Sequence, residues 1–376
     1  MKILFKKNSI IFFFLFIVVT LKGQVFSLVD SLPTNISEIT YDSHPVHSEK
    51  GFYLLFYPIK EKKGDFELLT LKDTEIHKIQ LKNPKLDGGG AWIQSVAISD
   101  NQLVLYHVDG IIVLYQKNKK GNYVLKEKIN IGTQIKESSI ISFLDSENII
   151  LMNDYNYYTE KKLYDNYAIC IYNLKSKKVV HQIELDLGKG ILLSHYGLGS
   201  SIESKKDKIA VAHPTLPYIY IFNDNLNPID TIHAQFQDKI SVDSVVYAIF
   251  TDSFIEDNRF NPKGIIKTIE DKKIDQMERI EKVFWLNDDI VGYTIRHPFS
   301  KARIFVFYSI KEKREIARQI EFYAANSVAP KNFIYTPRIL INNNKTIDFN
   351  TVYDKDKNDF FFYILLYDIL PANGTK

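Results

Sequence analysis

The sequence predicts an all-β fold, a β-propeller of four-stranded antiparallel blades. Three observations carry that expectation. Short runs rich in Ile, Val, Tyr and Phe fill most of the chain and are cut by Asn, Asp, Gly and Lys turns. The runs come in fours, with a repeat of roughly 40–50 residues. The third run of each four, such as IIVLYQ, YAICIYNL, YIYIFN and ARIFVFYSI, is apolar on both parities, as a strand covered on both faces should be. One four-stranded meander cannot bury both its faces. Stacking such sheets face to face around an axis buries them, and closing the ring removes the end faces. Six blades are expected in preference to seven.

Residues 1–23 read as a signal peptide. Lys2, Lys6 and Lys7 precede the apolar run Ile10 to Val19, which is about half of the roughly 20 residues a spanning helix needs. Cleavage is expected near Gly23–Gln24. It removes four lysines and no acid, so 44 basic residues face 45 acidic ones and the formal charge goes from +3 to −1. A nearly neutral chain gives no electrostatic reason to bind nucleic acid. Residues 24–376 are read as a single propeller domain with no further membrane span. At 45% hydrophobic and 25% charged residues the composition is that of a globular protein. One cysteine excludes a disulfide scaffold and a cysteine metal cage. That residue, Cys170, lies in the apolar run AICIY and reads as core packing.

Along the chain, residues 36–82 give a weak first unit with the runs GFYLLFY, FELLTL and EIHKIQL. Residues 91–131 give the clearest unit: AWIQSVAIS, QLVLYHV, IIVLYQK and YVLKEKINI. Asp109-Gly110 between its second and third runs is a strong hairpin signal, because glycine tolerates the positive φ of a tight turn. The plan returns over residues 140–187, 198–236 and 280–322, and residues 333–370 are expected to form the last unit, ending in FFFYILLYDIL. Residues 237–279 break the rhythm. Ser241 to Phe254 suggests one or two strands, and Pro262 to Ile280 has the apolar spacing of a helix. This segment is expected to be an insertion or an irregular blade, with the insertion preferred.

On this strand pattern and the signal peptide, the chain resembles the secreted six- and seven-bladed β-propellers of bacteria, TolB-like or WD40-like. The resemblance covers nearly all of the mature chain. It departs from those families in lacking Trp-Asp at the third-strand ends and a Ser-x-Asp-x-Gly-x-x-Trp turn, so it assigns no subfamily.

No nucleophile elbow, P-loop, metalloprotease motif or complete dinucleotide fingerprint is present. Gly197-Leu198-Gly199 lacks the third glycine and the following helix, and Gly88-Gly89-Gly90 precedes a strand. Asp354 to Asn358 starts like a calcium loop, but Asp359 and Leu365 stand where the glycine and the bidentate acid should be. His107, His213 and His297 each follow a second strand. They are expected on one rim of the disc, solvated or facing a partner, and too widely spread to share a zinc ion. Tyr155, Tyr157 and Tyr158, in a polar loop over 153–166, and Trp92, at the head of an innermost strand, are the aromatic candidates for recognition by stacking and hydrogen bonding. Asp145, Asn287 and Asp288 are the polar groups near innermost-strand ends that would matter for catalysis.

The expected function is therefore an exported, non-enzymatic propeller, periplasmic or extracellular, that binds a peptide, protein or glycan through one loop-lined face. No catalytic residue, metal ligand or cofactor is expected. The alternative is a propeller hydrolase or lyase acting at the mouth of the axial channel.

Overall fold

A computed structural model describes residues 26–37, 41–46, 52–58, 65–72, 75–86, 93–107, 109–131, 140–153, 167–185, 201–213, 216–236, 242–251, 253–254, 257, 262–274, 277–296, 302–322, 340–342, 345–354 and 359–369. Their strands form a β-propeller of four-stranded antiparallel sheets. Five blades are continuous meanders. Blade 1 is β2 (Tyr41–Val46), β3 (Phe52–Pro58), β4 (Phe66–Lys72) and β5 (Glu75–Leu81). Blade 2 is β6 (Ile93–Ile98), β7 (Gln102–His107), β8 (Ile111–Lys117) and β9 (Tyr123–Asn130). Blade 3 is β10 (Ile140–Phe143), β11 (Asn148–Asn153), β12 (Tyr167–Asn173) and β13 (Lys178–Leu185). Blade 4 is β14 (Ser201–Lys205), β15 (Lys208–Ala212), β16 (Tyr218–Asn223) and β17 (Pro228–His233). Blade 5 is β18 (Ile280–Trp285), β19 (Ile290–Arg296), β20 (Ala302–Ser309) and β21 (Arg314–Phe322).

The remaining strands make a composite sheet. β22 (Leu340–Asn342), β23 (Lys345–Asp354) and β24 (Asp359–Ile369) come from the end of the chain, and the fourth strand, β1 (Phe26–Ser37), comes from its beginning. The expectation of six blades in preference to seven is corrected: five blades are formed, and the remaining strands make this composite sheet. Residues 333–370 supply three strands and borrow the fourth, and residues 237–279 build no strand among their described residues. The apolar run Phe360 to Leu366 lies in β24, which is paired on both edges, by β1 and by β23.

The blades stack as the parity of the strands requires. In blade 2, Leu103, Leu105, Val113 and Tyr115 join a cluster with Leu55, Phe66 and Leu68 of blade 1. The alternate residues Val104, Tyr106, Ile112 and Leu114 join one with Ile149, Leu151 and Tyr172 of blade 3. The alternation continues between blades 3 and 4 and between blades 4 and 5. Complete burial of each Leu or Ile stabilises the stack by about 1.5–3 kcal/mol relative to exposure. Cys170 belongs to the second of these interfaces, and burial pushes its thiol up to about 12.

Inner strands stand side by side around the axis, β6 against β2 and β10, and β14 against β10 and β18, while β22 comes against β3. Each inner strand has one edge without a ladder partner, and at two of these seams a serine hydroxyl serves it. Ser95 Oγ on β6 accepts the Ile141 N–H of β10 at 3.1 Å, and Ser201 Oγ on β14 accepts the Val283 N–H of β18 at 3.0 Å. A buried N–H that loses its acceptor costs about 1–3 kcal/mol. Ser201→Ala should therefore lower the unfolding free energy by about that amount, read from urea denaturation, and no loss would mean that the seam does not hold the two blades.

The outer strands are protected in another way. β9, β13, β17 and β21 each carry a register shift opposite the third strand, between Leu114/Tyr115, Ile171/Tyr172, Ile221/Phe222 and Phe307/Tyr308. A bulge there twists an exposed edge away from further pairing. The polar turns seen in the sequence after the third strands also have a cause. Asn173 Oδ1 accepts the N–H groups of Lys175 and Ser176, and Asn223 Oδ1 accepts those of Asn225 and Asn227. Asn side chains close turns in this way because they imitate a backbone carbonyl.

The described residues between β17 and β18 include the helices α1 (Val242–Ile249) and α2 (Pro262–Asp271). The strand expectation for Ser241 to Phe254 is corrected. Its β-branched content suggested a strand, but Val245, Val246, Ile249 and Phe250 recur at helical spacing. Val246 and Phe250 pack with Ile265, Ile269 and Ile274 in a small core of their own.

Candidate functional site

The turns between the first and second strands of blades 2, 3 and 4 gather at one end of the axis. A cleft of about 400 Å³ opens there, lined by three consecutive blades. Blade 2 contributes Asp100, Asn101, Gln102 and Gln116, blade 3 Ser142, Phe143 and Asp145, and blade 4 Glu203, Ser204 and Lys206. The inner strands bring these residues together because each ends at the same level and turns outward.

The base of the cleft is made of paired serines. Ser142 Oγ and Ser204 Oγ are 3.2 Å apart, and Ser204 Oγ donates to the carbonyl of Phe143. Since Ser204 has one proton, the proton between the two hydroxyls belongs to Ser142. Above them, Lys126 Nζ donates to Gln116 Oε1 at 3.5 Å, and Gln102 Nε2 donates to the same oxygen at 3.5 Å. This arrangement orients the Gln102 amide. Its Oε1 is buried and has no hydrogen-bond partner among the described residues. Lys206 forms an ion pair with Asp288 of blade 5, which holds the Asp288 carboxyl below the usual carboxylate range, the hydrogen bond from Lys206 being the main cause. A second cleft of about 280 Å³ adjoins, lined by Lys205, Lys206, Lys208, Trp285 and Asp288.

The three catalytic candidates are all engaged. Asp145 Oδ1 accepts the N–H groups of Glu147 and Asn148 at 2.7 and 2.8 Å, and its Oδ2 accepts Asn148 Nδ2 at 2.7 Å. Asn287 Oδ1 accepts the N–H groups of Asp289 and Ile290 at 2.9 and 2.8 Å. Asp288 holds Lys206 and, through its carbonyl, Lys208. Asp145 and Asn287 therefore shape turns at the mouth, Asp145 with both oxygens engaged in doing so, and Asp288 ties blade 5 to blade 4.

His107 and His213 sit at the other ends of their second strands, and for these two the expectation of a solvated or partner-facing rim position is corrected. His107 and His213 are 1% and 3% exposed. Both follow the residues of their strands that face the preceding blade, so they are enclosed between blades. His107 Nδ1 lies 3.3 Å from both the N and the Oδ2 of Asp109 and so braces the turn into β8. In that turn Gly110 has φ 72°, as the Asp-Gly pair requires. Burial lowers the pKa of His213 to about 3. The sign follows from linkage: below about pH 6.5 the unfolded chain binds a proton that the folded chain refuses. Stability should thus fall as the pH drops from about 6.5 towards 3, at up to about 1.4 kcal/mol per pH unit from this group. His213→Leu should flatten that limb in denaturation series, and an unchanged slope would contradict the assignment.

His297, Trp92, Tyr155, Tyr157 and Tyr158 lie outside the described residues. Gln102, Gln116, Ser142, Glu203, Ser204 and Lys206 were not singled out by sequence reasoning. Glu203 was visible there as an acid within an innermost run, IES, but the convergence of three turns depends on tertiary stacking. Among the described residues no group of three or more His, Cys, Asp or Glu side chains is gathered as for a metal ion, and no helix is long and apolar enough to cross a membrane.

No protein-family model matches the chain, and no curated protein matches it. Solved structures do. One is the crystal structure of a member of the DUF4221 family from Bacteroides vulgatus, with 11% identity, a TM-score of 0.53, and coverage of 93% of this chain and 100% of that one. Another, from Bacteroides fragilis, is of a protein expected to be exported, with 11% identity, a TM-score of 0.51, and coverage of 91% and 95%. What they share with this chain is the fold.

Proposed function

We propose that this protein is an exported binding module whose ring of blades presents the cleft at its axial mouth to a peptide, protein or glycan. The observation that carries the reading is the convergence of side chains from three consecutive blades on one polar cleft. A rigid scaffold holding polar groups from separate turns suits recognition, which needs no covalent step. Export is supported by the leader-like residues 1–23 and by the likeness to a protein expected to be exported. The composite sheet is read as the element that closes the ring. The alternative, a hydrolase or lyase at the mouth, would need a carboxylate ready to take a proton, and Asp145 spends both oxygens on its own turn.

Ser146 lines the cleft and is exposed, so it can be enlarged without disturbing the core. Ser146→Trp should abolish capture of specific partners from an envelope fraction while leaving the thermal midpoint unchanged. Undiminished capture would place recognition elsewhere. Deleting residues 255–280 is a poorer test, because it removes Ile265, Ile269 and Ile274 and uncovers Val246 and Phe250.

A further inference from the structure

We infer that the end of the disc that carries the cleft lies against an anionic bilayer surface, held there by basic turns at its rim. The inference goes beyond the binding-module reading and does not rest on it, because it concerns the rim and not the cleft.

In an antiparallel meander, the turn between first and second strands and the turn between third and fourth strands lie at the same end of the sheet. Inner turns therefore surround the cleft, and outer turns stand at the rim of the same end. In blades 2 to 5 the outer turns, with one flanking residue on each side, are residues 117–123, 173–178, 223–228 and 309–314. They hold nine basic groups and two acidic ones, Asp224 and Glu312, so the rim is strongly positive on a nearly neutral chain. The inner turns, taken the same way over 98–102, 143–148, 205–208 and 285–290, hold three basic groups and six acidic ones, so the negative charge is gathered towards the axis. Most of it is set back from the rim: Asp100, Asp145, Asp207 and Asp288 line the two clefts.

Partners within the molecule use part of the rim charge. Lys175 meets Glu147 at 3.9 Å, Lys177 meets Glu127 at 2.6 Å, and Arg314 meets Glu312 at 2.5 Å. Lys117 stands over the Tyr123 ring at 5.0 Å. Lys119, Lys120, Lys178, Lys311 and Lys313 are exposed and have no ion pair or side-chain hydrogen bond among the described residues.

A second, independent feature marks the same end. Among the described residues four large apolar side chains are exposed, and three of them, Val124, Val180 and Ile229, stand at the beginnings of the outer strands of blades 2, 3 and 4, beside these turns. Val180 and Ile229 are the extra residues of their bulges and have no counterpart across the ladder.

The composition favours a lipid surface over a protein. Protein interfaces are rich in aromatic residues and Arg and poor in Lys. This rim has an excess of lysine, a single arginine and exposed aliphatic side chains. Lysines spread over three blades at one end can meet a flat field of lipid phosphates together, each adding attraction near the surface. Aliphatic side chains at the same end add apolar area at the headgroup boundary.

The test is co-sedimentation of a protein beginning at residue 24 with vesicles of phosphatidylcholine containing about 30% phosphatidylglycerol, and with vesicles of phosphatidylcholine alone. Binding to the anionic vesicles should be about ten-fold tighter or more, and salt should release it. Lys119→Glu with Lys178→Glu should weaken it by about ten-fold or more, with an unchanged thermal midpoint. Lys263→Glu with Lys267→Glu makes the same change of charge at exposed positions of α2, in a connection that leaves from the other end, and should alter binding by less than about two-fold. Equal sedimentation with neutral vesicles, no sedimentation with anionic ones, or equal losses in the two double variants would overturn the inference. Tighter binding to polyglutamate than to the vesicles at equal charge would assign the rim to an acidic protein and overturn the bilayer.

Discussion

Gly292→Ala is expected to destabilise the fifth blade strongly. Gly292 stands directly opposite Phe284 in the β18–β19 register. A Cβ added to it would fall inside the Phe284 ring, against Cε2, Cζ and Cδ2. The ring has nowhere to go, because Phe284 is 2% exposed and is packed with Phe305 and Phe307. Its centroid stands 6.0 Å from that of Phe307, at 77° to it. Overpacking of this kind costs about 1–3 kcal/mol where the core can shift and more where it cannot. Truncating the ring in Phe284→Ala should cost about 3–5 kcal/mol by itself. The two changes together should cost less than the sum of the singles, since the smaller side chain makes room for the added methyl. Chemical denaturation of the four proteins measures this coupling, and strictly additive costs would show that the ring does not occupy the space above Gly292.

Loss of β1 should have the larger effect. Without residues 26–37, β24 would have a free edge along Phe361, Tyr363, Ile364, Leu365, Leu366, Tyr367, Asp368 and Ile369. The register joins eight residues of β1 to β24, and at about 0.5–1.5 kcal/mol per net hydrogen bond the pairing is worth on the order of 5 kcal/mol. That is a large fraction of the roughly 5–15 kcal/mol by which a typical protein is stable. A free edge of this length and composition also invites pairing with other chains. A protein beginning at residue 38 should be insoluble or should melt more than about 10 °C lower. A peptide of residues 24–37 supplied in trans should restore solubility. A soluble truncated protein with an unchanged midpoint would mean that β1 is dispensable.

Much of this fold was legible in the sequence, for physical reasons that differ between elements. The four strands of residues 91–131 declared themselves because alternating burial and tight turns are local properties. Asp109-Gly110 needed no tertiary information to mark a hairpin. The stacking was legible from IIVLYQ and its counterparts, since apolar residues on both parities imply cover on both faces. β1 was missed because its partner, β24, lies at the far end of the chain, and no local pattern announces a pairing of that separation. α1 was misread because Val245, Val246 and Ile249 favour strands by type while their spacing is helical. The histidines were misjudged because sequence places His107 and His213 at strand ends without showing that the neighbouring blade encloses them. The cleft was the least legible feature. Gln102, Ser142 and Glu203 are ordinary polar residues at ordinary turns, and their meaning comes from the superposition of three blades.

The joining of both chain ends in one sheet is the claim on which ring closure depends, and a cysteine pair tests it directly. Ser27 and Asp368 are register partners. In a protein beginning at residue 24 and carrying Ser27→Cys, Asp368→Cys and Cys170→Ala, mild oxidation should link the two ends within one molecule. The product should be a monomer that migrates faster without reductant and melts higher than its reduced form. Thiols that stay free, or that link only separate molecules, would contradict the closed ring.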